Sequence, residues 1–470
     1  MAHYHLIGIC GAAMASLAGM LKARGHRVTG SDENVYPPMS VQLETLGVPV
    51  HIGYRAENLA RRPDVVVIGN AIPRGNPEVE HTLDNRWAYT SMADALKREF
   101  LQGRRVLAVA GTHGKTTTTA MASWVLDVCG FAPSFLTGGV AENFGASFRV
   151  TESDYFVIEA DEYDTAYFDK GPKFMHYLPE IGVVNNVEFD HADIYGDFDA
   201  VKTAFRRFIN LIPRSGALAA GFDSPAVREM APRSFAPVES FALDDADAVW
   251  TARDVAFVAD GTEFTAFRHG KKFGYFKTPL FGDFNVRNAL AVIAAAVAWG
   301  AAPDKIAAGL TTFKSVKRRM EVRGEVGGVV VIDDFAHHPT AVRETLRAIA
   351  RRFAERRIVA VFEPRSWSSR KKAFQREYET AFSAAARVVI APVFESFKLA
   401  TEDQFSPDAL AEALTQSGVR ASVVGGADAI IAHLLPELRA GDVVAVMSNG
   451  GFGGIHDKLL KALAEREGGR

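Results

Sequence analysis

The chain has 470 residues, of which 48% are apolar and 23% charged, with a formal net charge of −3. That length exceeds what one hydrophobic core serves, since single cores stop growing near ~250–300 residues, and the near-neutral balance gives no reason to expect nucleic-acid or membrane partners. Two cysteines, Cys10 and Cys129, make neither a disulfide framework nor a metal-ligand set and fit a reduced cytoplasm.

The N-terminus lacks a positive region ahead of its apolar stretch, so no signal peptide is expected. The longest apolar run, Ala289 to Ala302, falls short of the ~20 residues a membrane span requires. Tyr4 to Ile9 reads as a strand, and Gly8-Ile9-Cys10-Gly11 turns into a helix running to about Arg24. A second strand, Arg27 to Gly30, ends at Ser31-Asp32. A glycine turn followed by an acid at the next strand end is a nucleotide-type βαβ start. Cys10 occupies the second glycine of the dinucleotide fingerprint, which favours a nucleotide sugar over NAD or FAD. Another strand, Val65 to Gly69, ends in Asn70, and the polar stretch Arg98 to Arg105 marks a boundary. Domains of 1–101, 102–323 and 324–470 are expected.

The second domain opens with Val106 to Ala110, a buried-strand pattern. It breaks at Gly111-Thr112-His113-Gly114-Lys115-Thr116-Thr117 and resumes as a helix through Val128. Strand, glycine loop and helix N-terminus are what a phosphate-binding loop needs. Gly111 and Gly114 let the backbone approach phosphates closely, Lys115 reaches β- and γ-phosphates, and the Thr116 hydroxyl serves Mg²⁺. Val109 stands where the common motif has its first glycine, so the loop is a variant. Strand Tyr155 to Ile158 runs into Glu159-Ala160-Asp161-Glu162-Tyr163-Asp164, the expected Mg²⁺ side of such a loop. Strand Ile181 to Val184 delivers Asn185 through His191 to the same edge, with His191 a candidate metal ligand. From about Gly216 the pattern changes to short strands at Val249 to Thr251, Val255 to Val258, Glu263 to Phe267 and Phe273 to Lys277, an antiparallel extension. Asn285 and Asn288 share a face at the start of an Ala-rich helix, where they read as an adenine contact or an N-terminal cap.

The third domain repeats the strand–helix alternation of a doubly wound parallel sheet. Strand Val329 to Ile332 ends in Asp333-Asp334-Phe335-Ala336-His337-His338-Pro339, and a helix follows from Thr340. Strand Ile358 to Phe362 ends in Glu363-Pro364-Arg365-Ser366. A further strand, Val388 to Ala391, precedes the last one, Val443 to Met447, which ends in Ser448-Asn449-Gly450-Gly451. The fold class is therefore α/β with three domains: a Rossmann-like N-terminal domain, a central phosphate-loop ATPase-like domain with a small antiparallel extension, and a Rossmann-like C-terminal domain.

Together these motifs resemble the ATP-dependent amide-forming ligases of bacterial peptidoglycan synthesis. The loop Gly111 to Thr117, the acidic strand end, Asp190-His191, Asn285 and Asn288, Arg318-Arg319 and Asp333 to Pro339 fall in that family's order over essentially the whole chain. Within the family, the resemblance is to the branch that adds a recycled tripeptide, L-Ala-γ-D-Glu-meso-diaminopimelate, to UDP-N-acetylmuramate. It rests on Ser31 to Ser40 (with Pro37-Pro38), Glu159 to Asp164, Phe168-Asp169-Lys170, Glu363 to Ser366 and Met447 to His456. The branch that adds L-alanine usually has Ser at the place of Tyr163 and lacks Phe168-Asp169-Lys170. Two departures stand out: Phe284 replaces the family's usual His, and no lysine stands where other members carry a carbamylated one.

The resemblance implies a cytoplasmic enzyme with ATP and Mg²⁺ as cofactors, a monomer or weak homodimer. ATP would be held by Gly111, Thr112, His113, Gly114, Lys115, Thr116, Thr117, Asn285, Asn288 and Arg319. Thr116 and Glu159 would hold one Mg²⁺ and His191 a second. Gly11, Asp32 and Asn70 would hold the UDP-sugar, and Arg365, Ser448 and Asn449 the peptide. Lys115 and His191, with Asp334, His337 or His338 acting on the amine, would carry the catalysis. The competing expectations are an L-alanine-adding ligase, a nucleotide-gated switch protein without ligation, and a dehydrogenase using the first glycine turn.

Overall fold

The computed structural model describes residues 1–36, 39–398 and 403–468. Pro37 and Pro38 of the Ser31–Ser40 motif lie outside the described residues. The first domain is a five-stranded sheet in the order Val50–Ile52, Arg27–Asp32, His3–Ile7, Val65–Ile68, Tyr89–Ser91. All its neighbours run parallel. The expected strands are present, and the two outer strands add to them; three residues each is too short to show an alternation in sequence.

The central sheet has ten strands. At its heart Arg105–Ala110 pairs in parallel with Ile181–Val184 on one side and Tyr155–Glu159 on the other. Neighbouring strands lie ~4.8 Å apart, so their carboxyl ends open onto one place. The helix Lys115–Val128 follows the loop and packs against Asp283–Ala298 and Pro303–Thr311. The Ala-rich helix Asp283–Ala298 is buried almost throughout because its small side chains let it lie against both sheet and neighbouring helices. The expected antiparallel extension is continuous with this sheet. Trp250–Val258, Gly261–Arg268 and Lys271–Thr278 form its far edge. The two short strands expected at 249–251 and 255–258 are one strand with an irregularity between Arg253 and Ala256.

The C-terminal sheet has six strands, in the order Glu321–Val326, Val329–Asp334, Asp442–Met447, Arg357–Phe362, Arg387–Ile390, Arg420–Val423. Only Glu321–Val326 is antiparallel, and it straddles residue 324, where the sequence reading placed the third domain's start. The three strands that end in the Asp334, Ser448 and Glu363 motifs are adjacent and parallel.

The domains meet unequally. The first and second share one apolar cluster, running from Leu17 and Phe100 to Phe156, Phe174 and Phe205. Gly19 of helix Ala12–Ala23 lies against Phe148 with no room for a Cβ, and Ser16 Oγ is 2.9 Å from Ser147 Oγ. The C-terminal domain has a core on each face of its sheet. The first of these also takes in Phe281 and Met320, with Phe189, Phe257 and Phe284 of the central domain packed against it, and polar contacts such as Arg351 to Asp283 at 2.6 Å add to this seam.

Candidate active site

The phosphate loop takes the conformation its glycines permit. Gly111 has φ +140° and Gly114 φ +81°. A Cβ on Gly114 would sit 2.8 Å from Asn288 Oδ1 and 3.1 Å from Asn185 Nδ2, so glycine is required for both torsion and space. The segment after Ile181–Val184 braces the loop: Thr112 N donates to Asn186 O at 3.0 Å and His113 N to Asn186 Oδ1 at 2.8 Å. Lys115 opens the helix, followed by Thr116 and Thr117 in the first turn. The Lys115 ammonium donates to Gly111 O at 2.7 Å and to the two oxygens of Glu162 at 2.8 and 3.0 Å. Burial disfavours its charge, but Glu162 and Asp161 outweigh burial and raise its pKa, so Lys115 stays an ammonium.

Thr116 Oγ1 donates to Glu159 Oε1 at 2.9 Å, and the other oxygen of Glu159 accepts from Gly138 N at 2.7 Å. A hydroxyl and a carboxylate at the mouth of a phosphate loop are the hard oxygen donors that Mg²⁺ takes, so this pair fits that ion. Arg319 Nη2 donates to the same Thr116 hydroxyl at 3.1 Å and brings a third group of the expected ATP set to the loop. His191 instead clusters with Asp161 and Glu162. Its Nε2 lies 3.3 Å from Glu162 Oε1. Burial opposes protonation there, yet the hydrogen bond and charge of Glu162 prevail and lift its pKa to about 9. Metal ligation needs neutral imidazole, so a cation at His191 would have to displace this proton.

Asn285 and Asn288 are buried at the start of their helix. Asn285 Nδ2 donates to Phe281 O at 2.8 Å, Asn288 Nδ2 to Asn285 Oδ1 at 3.2 Å, and Asn288 Oδ1 lies beneath Gly114. Asn288 thus packs against the loop, and Asn285 holds Asn288.

The C-terminal strand ends face this site. Asp334 is buried with both oxygens engaged, Oδ2 by Met320 N at 2.7 Å and Oδ1 by Ala336 N at 2.8 Å. Burial raises its pKa; it anchors the turn around it. His338 caps helix Pro339–Arg352, its Nδ1 accepting from Thr340 N at 3.3 Å. That bond puts the proton on Nε2, which is buried without a hydrogen-bond partner among the described residues. Burial and the neighbouring His113 push its pKa down to about 3. His337 Nδ1 lies 2.9 Å from the Phe335 carbonyl. A carbonyl can only accept, so Nδ1 carries the proton and Nε2 a lone pair. Burial lowers its pKa too. Arg365 stacks 3.8 Å over Phe394 and packs on Gly450, where a side chain would collide with it. Ser448 Oγ donates to Glu363 Oε2 at 2.5 Å, and Asn449 Oδ1 is buried without a partner among the described residues. Arg318 ties this loop down, donating to Ser448 O at 2.7 Å and Gly450 O at 2.8 Å.

In the first domain Gly11 is exposed at the start of helix Ala12–Ala23. Asp32 holds the glycine turn: Cys10 N and Asn34 N each donate to it at 2.9 Å. Asn70 reaches across to the central domain and donates to Asp164 Oδ1 at 2.7 Å. Asp164 begins the ribbon Asp164–Ala166 / Asp169–Pro172, whose Phe168 meets Tyr89 edge-on. Phe168-Asp169-Lys170 thus forms a ribbon tip against the first domain, and Tyr163 stands edge-on to His191 at 5.1 Å.

Sequence reasoning assigned no individual role to Glu162, Asn185, Asn186 or Arg318. Glu162 lay within the acidic run, but nothing in the run distinguishes the acid that turns toward Lys115. The asparagines were visible as the polar end of Ile181–Val184.

Three α/β domains, with a phosphate loop and acid pair in the middle one facing the strand ends of the last, define the class of nucleotide-dependent enzymes that gather their reactants across domains. Models of the Mur ligase family cover the chain domain by domain: its catalytic domain over residues 3–103, its middle domain over 109–296 and its glutamate ligase domain over 318–450. The chain belongs to the Mur ligase family. It is 42% identical over 465 residues, 98% of either chain, to UDP-N-acetylmuramate–L-alanyl-γ-D-glutamyl-meso-2,6-diaminoheptandioate ligase of Escherichia coli (strain K12). It is 32% identical over 457 residues, 97% of either chain, to the UDP-N-acetylmuramate–L-alanine ligase of Clostridium acetobutylicum. Its structure resembles the crystal structure of a murein peptide ligase from Psychrobacter arcticus, with a TM-score of 0.74, 37% identity and 99% of both chains covered. No helix among the described residues is long and apolar enough to cross a membrane.

Proposed function

We propose that this protein is an ATP-dependent ligase that joins the tripeptide L-Ala-γ-D-Glu-meso-diaminopimelate to UDP-N-acetylmuramate, the salvage reaction of peptidoglycan recycling, in the cytoplasm. The observation that carries the reaction class is the constellation of Lys115, Thr116, Glu159 and Arg319 opposite the His337–His338 turn. The substrate branch is supported by the 42% full-length identity to the E. coli tripeptide ligase against 32% to an alanine ligase. Tyr163 and the Phe168-Asp169-Lys170 ribbon agree with it.

A carboxylate does not condense with an amine at neutral pH because oxide is the group that must leave. Transfer of the γ-phosphoryl group changes this. A carboxylate oxygen of the lactyl group attacks phosphorus, ADP departs, and an acyl phosphate remains. The amine then attacks the acyl carbon, phosphate departs, and the amine loses a proton. Lys115 is proposed to follow the charge on the transferring group, and Arg319, which bonds the neighbouring Thr116 hydroxyl, to add to that neutralisation. Thr116 and Glu159 would hold Mg²⁺, which would neutralise phosphate charge further. His191 is the proposed holder of a second cation, which replaces its proton.

Of the three residues proposed to act on the amine, His337 suits the role best. Its Nδ1 is turned to a carbonyl, which leaves Nε2 as a proton acceptor. His338 presents an N–H, and both oxygens of Asp334 are already engaged. Arg365, Ser448 and Asn449 are proposed for the anionic peptide, and the first-domain turn around Gly11 and Asp32 for the UDP part, with Asn70 joining that domain to the central one.

Phosphate release with ATP, Mg²⁺ and UDP-N-acetylmuramate, comparing tripeptide with L-alanine, tests the reading. Release accompanied by UDP-muramyl-tripeptide supports it. Turnover with L-alanine alone would make the protein the biosynthetic sibling, and release that ignores the carboxylate substrate would make it a nucleotide switch.

A further inference from the structure

Glu188 has no role in the chemistry above, yet it sits where two domains meet the phosphate loop. It follows strand Ile181–Val184 and is held to the loop by its backbone, with Glu188 N donating to Thr112 Oγ1 at 2.9 Å. Its carboxylate reaches in two directions from one oxygen. Oε2 lies 3.2 Å from His113 Nε2, in the loop, and accepts from Thr340 Oγ1 at 2.8 Å, in the first turn of the C-terminal helix Pro339–Arg352. The same oxygen is 3.6 Å from His338 Nδ1, and the His113 and His338 ring centroids lie 4.6 Å apart with the rings tilted by 45°. A single carboxylate oxygen therefore links the loop that would receive the triphosphate to the turn that would receive the amine.

The surrounding segment shows why this position matters. Asp190 accepts from Ser368, and Ala192 O accepts from Lys371 Nζ at 3.1 Å. Both bonds run to the C-terminal domain. Asn186 touches the loop, through His113 N, and Glu188 touches both sides. The interface between these domains has an apolar part, with Phe281 in the C-terminal core and Phe189 near Phe374, and it is the polar contacts of Glu188 that tie the phosphate loop itself into that seat.

From this geometry we infer that Glu188 is a positioning residue that couples the phosphate loop to the C-terminal domain, so that a nucleotide on the loop favours the seat of the His337–His338 turn that receives the peptide amine. The inference rests on the ligase reading. By linkage the coupling is reciprocal: the tripeptide must tighten nucleotide binding by the same factor by which nucleotide tightens tripeptide binding. Thr340 is the receiving end, and His113 the end that moves with the loop.

The test is calorimetric titration of the whole protein with a non-hydrolysable ATP analogue plus Mg²⁺, in the presence of UDP-N-acetylmuramate, with and without tripeptide. In the wild type the tripeptide tightens analogue binding by about ten-fold, within the usual span of allosteric coupling. In Glu188→Ala the analogue binds alone within about two-fold of wild type, but the tripeptide no longer tightens it. Thr340→Val behaves alike, and the double variant is no worse than the worse single one. Glu188→Gln, which keeps an acceptor for Thr340, recovers most of the coupling. Steady-state kinetics of Glu188→Ala show a raised tripeptide KM with the ATP KM little changed. Coupling that survives in Glu188→Ala, or its absence from a wild type that ligates normally, overturns the inference. A wild type that does not ligate overturns the ligase reading instead.

Discussion

Replacing Glu162 by Gln removes one charge and should be felt at two partners. Glu162 is almost fully buried, lies 2.8 Å from the Lys115 ammonium and 3.3 Å from His191 Nε2. In the metal-free protein burial works against His191 protonation, and Glu162 is the main group that overcomes it, setting the pKa at about 9. Relative to an unfolded value near 6.5 the folded pKa is raised. Its stabilisation is therefore fully present below pH ~6.5 and is lost as pH rises through about 9. At ~1.4 kcal/mol per pH unit that displacement is worth ~3 kcal/mol, or nearer ~2 kcal/mol after allowing for the partial exposure of His191. In Glu162→Gln the His191 midpoint falls to ~6.5 or below. The decline in unfolding free energy between pH 6.5 and 9 then shrinks by ~2 kcal/mol relative to wild type. Lys115 keeps its bond to Gly111 O, so the loss at pH 6 stays below the ~3–5 kcal/mol that breaking a buried pair costs. The assay is an NMR titration of the histidine Cε1–H resonances, with urea unfolding of both proteins at three pH values. A His191 midpoint still near 9 in Glu162→Gln, or an unchanged slope of stability with pH, would refute the reasoning.

Other variants bear on the same site. Lys115→Ala should abolish ATP-dependent ligation while leaving a cooperatively folded protein, read by phosphate release beside a circular dichroism melt; normal turnover would remove the phosphate-loop assignment. Gly114→Ala places a side chain at φ +81° and within 2.8 Å of Asn288 Oδ1. It should cost ~2 kcal/mol of stability from torsion and crowding and weaken binding of an ATP analogue in a calorimetric titration. Thr116→Val keeps the shape but deletes the hydroxyl that Glu159 and Arg319 share. It should raise the Mg²⁺ concentration giving half-maximal rate about ten-fold with ~1 kcal/mol of stability lost; an unchanged Mg²⁺ dependence would take Thr116 out of the metal site.

The strands that carry chemistry were legible because they are buried on both faces. Val106 to Ala110, Ile181 to Val184 and Val329 to Ile332 are unbroken apolar runs, and each stops where polar residues begin, which is also where ligands meet such sheets. The short edge strands Val50–Ile52 and Arg420–Val423 left no such run and were not read. Residue types did not reveal their orientation. Asn285 and Asn288 share a helix face as their spacing says, but that face is turned to Gly114 and Phe281 because the helix is buried among others. Asp32 and Asn70 stand at the predicted strand ends yet face the Cys10 turn and Asp164. Glu188 was out of reach for the same reason: its importance comes from Thr340, which is 152 residues away.

The electrostatics of the loop point to an order of events. Lys115 is held by Glu162, so a triphosphate that takes its ammonium must draw it away from a buried carboxylate. A buried charge left without its partner costs several kcal/mol, enough to make the exchange unfavourable if Glu162 had nothing else. It has His191, whose ring carries a proton up to pH about 9 and lies on the other side of the same carboxylate. A positive charge at that position, a proton or a cation in its place, therefore allows Lys115 to leave for the phosphates. The lysine and the histidine are partners through Glu162. Nucleotide affinity should then fall above pH 9 in the metal-free protein before Lys115 itself titrates, since Glu162 and Asp161 hold the lysine pKa above its ordinary value. Measuring ATP binding in chelator from pH 7 to 10 decides the matter: a decline centred near 9 supports the exchange, and affinity that is flat to pH 10 shows that Lys115 does not depend on the His191 proton.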